Sequence, residues 1–178
     1  FGHFCSCVAM MCFSRKAQQS AMLGISVHFL QTVFVREVEE EFGTTDVNYY
    51  EVNTRLLFGE TSKGARLRCP RDGKLGCSYV DAVHASSPES AAAATIMLSW
   101  SWGYSVRIVV GALSRWCRTS GADPKKVFVW QCALCNNQFR VQERRRNGQW
   151  ETFRNFKQMF EKRMDHTKRI LSLMAPWD

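Results

Sequence analysis

A chain of 178 residues with 46% hydrophobic and 22% charged residues has the composition of a globular protein, and at this length folding buries roughly 70% of the surface of the unfolded chain. Disorder throughout is excluded, and one core suffices. The formal charge of +8 is uneven: residues 1–90 carry 9 basic and 10 acidic side chains, residues 91–178 carry 15 and 6. The positive field of the second half suits nucleic acid, acidic lipid or an anionic nucleotide as partner, or solubility alone.

Eight cysteines fall well short of the ~8–10% that marks a disulfide-stapled secreted domain. Cys5, Cys7 and Cys12 crowd the start, Cys69 and Cys77 flank a turn, and Cys117, Cys132 and Cys135 sit in apolar runs, where a reduced thiol behaves as a small hydrophobe. An intracellular, reducing compartment is the expectation. Because the first residue is Phe1, any targeting segment upstream is out of view.

In chain order, residues 17–35 come first, 19 residues without a charge between Lys16 and Arg36. They approach the ~20 residues of a membrane span, but Gln18, Gln19, Ser20, Ser26, His28, Gln31 and Thr32 oppose contact with lipid. The spacing of Met22, Ile25, Phe29 and Val33, widened by Leu30, Phe34 and Val38, predicts instead an amphipathic helix within an N-terminal region 1–43 that stops at Gly43. Residues 44–90 read as a small β region and linker. Extended pieces are expected at 48–53, 55–58, 67–69 and 78–83, with a hairpin turn at Asp72-Gly73 and a Ser- and Ala-rich linker over 85–94.

Residues 91–178 alternate regularly. A strand is expected at 95–100 and a helix at 105–118 with Val106, Val109, Val110, Leu113 and Cys117 on one face, ended by Gly121 and Pro124. A buried strand follows within 126–134, then a helix marked by Phe153, Phe156 and Phe160, then an apolar run over 169–174. Strand, helix, strand, helix, strand is the pattern of a parallel sheet with crossovers. Three such strands leave an open edge beside the apolar Pro176-Trp177 tail. A protein partner or self-association is therefore expected, with Ile25, Phe29, Leu30, Val33 and Phe34 as the contact stripe.

Two segments carry the strongest local pattern, Leu98-Ser99-Trp100-Ser101-Trp102-Gly103 and Phe128 through Gln138, each running from an expected strand into its C-terminal loop. In open α/β sheets ligands sit beyond the carboxyl ends of the strands. Ser101, Tyr104, Asn136, Asn137 and Gln138 are thus candidate nucleotide-binding residues, since amides and hydroxyls read a ribose or a base edge. The same tryptophans fit packing, and the same amides fit turns.

The runs LSWSWG (98–103) and VFVWQCALCNNQ (127–138) resemble the opening motifs of the heterokaryon-incompatibility (HET) domain, itself similar to the TIR fold. YEVN (50–53), CPRDGKLGCSYVD (69–81), LSWSWGYS (98–105), WCR (116–118) and LMAPWD (173–178) extend a resemblance to a group of uncharacterised algal proteins from Tyr50 to Asp178. The resemblance implies an α/β fold, a partial TIR-like (flavodoxin-like) parallel sheet over 91–178, incomplete at its C-terminus. It also implies NAD or another adenine nucleotide as ligand. Two departures bear on function. Gln131 stands where HET-like motifs carry an acid, and the glutamate expected for NAD cleavage lies, in the relatives, beyond the equivalent of Asp178.

The weaker constellations resolve towards structure. The C-x-x-C of Cys132 and Cys135 lies at a strand end rather than opening a helix, the spacing of Cys69 and Cys77 is not that of a zinc knuckle, and His3, His28, His84 and His166 are scattered. No metal and no catalytic residue is assigned. The basic run from Arg140 to Arg169, interleaved with Trp150, Phe153 and Phe156, is the one nucleic-acid signal, but a solvated helix face is the favoured reading, since Phe153, Phe156 and Phe160 already explain themselves as the buried face of that helix. The expected function is a non-catalytic TIR/HET-like interaction or nucleotide-sensing module. The alternatives are an accessory subunit of a larger, even membrane-bound, assembly and a basic nucleic-acid-binding module.

Overall fold

The computed structural model describes residues 15–149 and 153–174, with only the backbone at 153, 155 and 156. Cys5, Cys7, Cys12, Trp150 and the Pro176-Trp177 tail lie outside the described residues. The fold is mixed α/β: a five-stranded sheet with parallel pairs, preceded by N-terminal helices.

The expected helix over 17–35 is interrupted. Residues 15–21 are helical, but Leu23–Ser26 forms a strand, β1, buried at all four positions. Gly24 makes this possible, because a Cβ there would stand 2.9 Å from the Val129 backbone. Only a residue without a side chain lets the two strands meet at that point. The chain then turns helical at Ser26, whose hydroxyl accepts from the Phe29 amide at 3.1 Å, as N-cap serines do. Helix α1 runs through Val27–Phe29, a π-helical stretch Leu30–Phe34 and Val35–Phe42. The expected glycine stop holds: Gly43 adopts φ 72° and its amide bonds Glu39 O at 2.8 Å.

The segment expected as a small β region is mainly helical. Asn48 and Glu51 form a reciprocal capping box that starts helix α2, Tyr49–Val52, continued by a π turn at Asn53–Leu57. Ser78 caps helix α3, Tyr79–Ser86, by accepting from the Asp81 amide. The extended structure present is an isolated bridge between Arg68 and Leu75 around the Asp72-Gly73 turn, another between Asn48 and Ser105, and an edge strand β2, Ala91–Ala93. Part of the expected linker is thus a strand.

The second half follows the expected alternation. Strand β3 is Ile96–Ser99, helix α4 is Val106–Ser120, capped by Ser105 and closed by Gly121, and strand β4 is Phe128–Trp130. The inward face of α4 is Val106, Val109, Val110, Leu113 and Cys117, all buried. Helices α5 (Cys132–Cys135), α6 (Gln138–Arg146) and α7 (Phe153–Thr167) lead to β5, Ile170–Ser172. The sheet order is β2-β1-β4-β3-β5; β3 pairs in parallel with both β4 and β5, and β1 joins β4 and β2 antiparallel. Among the parallel strands the first in sequence lies in the middle, as in doubly wound sheets.

One buried cluster takes residues from all three sequence regions, including Ile25, Phe34, Tyr49, Val80, Ile96, Val109 and Leu134. The stripe expected to contact a partner belongs to this core: Ile25 and Phe34 are fully buried, Leu30 and Phe29 nearly so, and Val33 packs against them. Phe34 lies 5.6 Å from the Tyr79 ring and 6.3 Å from Tyr49. That face is satisfied within the chain and is not a free docking surface. None of the described helices is long and apolar enough to cross a membrane.

Candidate functional site

Because β3 and β4 are parallel, the loops that follow them emerge at the same end of the sheet. The Trp102 indole N–H donates to Cys132 Sγ at 3.3 Å and ties the two loops together. Asn137 caps α6 through its carbonyl oxygen, while its amide donates to Gly76 O at 2.9 Å and Cys69 Sγ at 3.3 Å. The Gln138 amide donates to the carbonyls of Cys132 (3.2 Å) and Ala133 (3.0 Å). Gly76, at φ +86° and against the Phe139 ring, has room for no side chain. These bonds fold the 69–77 turn onto the end of β4.

Between the loops opens a cleft of about 530 Å³, within the size range of small-molecule sites. Asn136, Asn137 and Gln138 line it as the sequence suggested, but Ser101 and Tyr104 do not join them. The Ser101 hydroxyl accepts from the Gly103 amide within its own turn, and Tyr104 packs against the core. Trp102 reaches the cleft instead, with Tyr50 beside it at 5.6 Å and 64% exposed. Trp102 in turn stacks on Trp100, which meets Tyr49 edge-on at 4.4 Å.

The walls are strongly basic. Arg71, Arg140, Arg144, Arg145 and Arg163 line the cleft, and Asp72 is the single carboxylate among them. Asp72 is engaged by Arg140, whose hydrogen bond holds the carboxyl below its ordinary pKa and raises that of the arginine. Arg71 is held from beneath. Its guanidinium donates to Ser20 Oγ (2.9 Å), Ser78 Oγ (3.3 Å) and Cys135 O (2.8 Å) and lies 3.4 Å from the buried Asp81. Asp81 accepts from the hydroxyls of Ser20 and Ser78, both at 2.5 Å.

Polar atoms without a partner concentrate under this cleft. Asn53, 7% exposed and lining it, has an unbonded carbonyl oxygen, and Arg163 has a buried, unbonded Nε. Gln131 is fully buried beside the buried Tyr49 hydroxyl, with which its amide makes only a poorly aligned contact. Burial pushes the Tyr49 phenol well above its usual pKa, and Gln131 offsets this only in part. In place of Gln131 an acid would be a carboxylate without solvent, which costs several kcal/mol (about 3–5) unless a cation reaches it.

Cys69 and Cys132 line the cleft, and all five described cysteines are free thiols. Burial raises the Cys135 thiol to about 12, and Cys132 upward as well. These are packing groups rather than nucleophiles. Among the described residues no three His, Cys, Asp or Glu side chains stand together as a metal site.

Sequence reasoning missed Tyr50, Asn53, Arg71, Arg140 and Arg163 as cleft residues. Arg71 lay in the Pro70–Gly73 turn and was readable as a cation beside a hairpin. Arg140 and Arg163 were visible only as members of the basic run over 140–169, with nothing local to set them apart from the other cations in it. Searches of family models, of curated proteins and of solved structures find no match to the chain.

Proposed function

We propose that this chain is a non-catalytic, TIR/HET-like nucleotide-sensing module that binds an anionic nucleotide in the cleft beyond the carboxyl ends of β3 and β4. The observation that carries the reading is the charge of the cleft: five arginines and one carboxylate, itself already paired, around a half-open space with an exposed aromatic ring at its mouth. Arginine forks match phosphate oxygens, and Tyr50 and Trp102 offer a base a stacking face. The parallel strand order and the LSWSWG and VFVWQCALCNNQ motifs support the TIR/HET likeness.

Titration calorimetry with ADP and with adenosine tests it. ADP should bind, more weakly as salt rises, and adenosine at least tenfold more weakly; no heat from ADP at millimolar concentration refutes the reading. With Asp72 held by Arg140, no free carboxylate among the described residues lines the cleft to stabilise an oxocarbenium-like transition state. Nicotinamide release from NAD should stay at the level of a heat-killed control.

A second reading, association with a partner or another copy, draws on the sheet edge. Among the described residues strand β5 pairs only with β3, and it carries Ile170 at 43% exposure, with Met174 beyond it at 73%. Unpaired edges of this kind template further strands.

A further inference from the structure

We infer that Arg163 is the phosphate-binding residue of the cleft, so that the nucleotide lies with its phosphoryl groups at α7 and its base towards Tyr50 and Trp102. The inference rests on the nucleotide reading and adds to it an orientation and a residue. Arg163 differs from Arg71 and Arg140 in what surrounds it. Arg71 has Asp81, and Arg140 has Asp72. Around Arg163 the contacts are the Met22 thioether, 3.5 Å from Nη1, and the Trp130 ring, its centroid 5.8 Å from the guanidinium carbon.

Neither is an anion, and among the described residues no carboxylate faces this group. The charged group that influences it is Arg71, which repels it; the nearby Cys135 thiol, kept protonated by burial, supplies no counter-charge at neutral pH. Its Nε is buried with no acceptor. Desolvation comes first among the causes that lower its pKa, and the neighbouring Arg71 adds to it. A cation half out of water, without a counterion and beside a second cation, is destabilising unless something anionic arrives. A phosphoryl group supplies two oxygens to the fork and neutralises the repulsion between Arg71 and Arg163 in one step.

The position also fits. Arg163 lines both the 530 Å³ cleft and a neighbouring, wider groove, while Tyr50 and Trp102 line the cleft but not the groove. A ligand with an aromatic end and a phosphorylated end matches that polarity.

The test combines affinity with stability, because a structural arginine and a ligand-binding arginine move them differently. ADP and adenosine are titrated into the wild type, Arg163→Met and Arg163→Lys, and thermal unfolding is recorded without ligand. Arg163→Met should lose at least tenfold in ADP affinity, keep its adenosine affinity, and unfold no lower than the wild type. Arg163→Lys should recover part of the ADP affinity. If Arg163→Met binds ADP as the wild type does, Arg163 does not hold the phosphate and the nucleotide reading stands without it. If it unfolds earlier and loses ADP and adenosine alike, the residue is structural and the inference is overturned. If the wild type binds neither ligand, the nucleotide reading fails and the inference fails with it.

Discussion

Replacing Asp81 with alanine should be among the most damaging single changes in the protein. Asp81 is 5% exposed, lies on the inner side of α3, and is, among the described residues, the sole carboxylate against the Arg71 guanidinium, whose side chain is itself only 20% exposed. Removing one member of a buried ion pair leaves the other charged and desolvated, at a cost of about 3–5 kcal/mol. The remaining exposure of Arg71 favours the lower end. The hydroxyls of Ser20 and Ser78 also lose their acceptor. A loss of about 3 kcal/mol is a large share of the roughly 5–15 kcal/mol that holds a domain folded, and at this size lowers Tm by roughly 6–12 °C. Urea unfolding of Asp81→Ala, Arg71→Met and the double variant separates the causes. The double variant should be more stable than Asp81→Ala alone, since it removes the stranded charge. Inorganic phosphate should also raise the Tm of Asp81→Ala more than that of the wild type, by offering Arg71 a replacement anion. A loss below about 1 kcal/mol in Asp81→Ala, or a double variant as unstable as the sum of the singles, would refute the view that this pair supports the cleft.

Gly24→Ala drives a methyl group into the Val129 backbone at 2.9 Å and should cost about 1–3 kcal/mol by urea unfolding; a neutral result would mean that β1 does not pair with β4 as described. The buried Cys135 thiol, raised from about 9 to about 12 in the folded state, favours folding below pH 9 and loses that contribution as pH climbs towards 12. Chemical unfolding at pH 8, 9 and 10 should show stability falling above pH 9, Cys135 contributing up to about 1.4 kcal/mol per unit beside Cys77, which burial raises likewise, with the slope smaller by that share in Cys135→Ala. Sedimentation at several concentrations should show association through the β5 edge, weakened by Ile170→Lys; a single concentration-independent species of about 20 kDa would remove the association reading.

The parallel half of the sheet was legible because its signals were local and agreed with one another. Ser105 and Gly121 bracket α4, its apolar face repeats every three to four residues, and the flanking runs of Ile, Val, Phe and Trp are too short for anything but strands. The first half misled for a specific reason. Residues 22–38 satisfy a helical repeat throughout, and nothing in that repeat distinguishes helix from a four-residue strand whose partners, Ala91–Ala93 and Val129, lie about 70 and 100 positions away. Gly24 and Ser26 were the available warnings, the one permitting close approach of another backbone and the other starting a helix. Likewise Asn48-x-x-Glu51 is a capping pattern that outweighs the β-prone Tyr49, Tyr50 and Val52 beside it.

The cleft was half legible on the same grounds. Asn136, Asn137 and Gln138 could be placed because a strand-end loop points at a ligand region whatever the rest of the chain does. Yet two of them are occupied in holding carbonyls, and the groups left with unmet hydrogen-bonding capacity, Asn53 and Arg163, sit on helices over 80 residues from one another in sequence. Periodicity explains why Met159, Phe160 and Met164 face inward on α7, and by the same spacing Arg163 belongs on that face as well. An arginine there is either balanced by an acid elsewhere in the fold or waiting for an anion from outside. Only the three-dimensional arrangement shows that its near neighbours are Met22, Trp130 and another arginine, the observation on which the proposed anion rests. The uneven charge of the sequence then acquires a location: part of the excess of the second half is gathered at the one end of the sheet where the first half contributes Arg71, Asn53 and an exposed tyrosine. A solvated helix face would spread that charge outward, whereas Arg163 lines the cleft with its Nε buried; on the proposed reading, that inward position is where the basic composition would meet an anion.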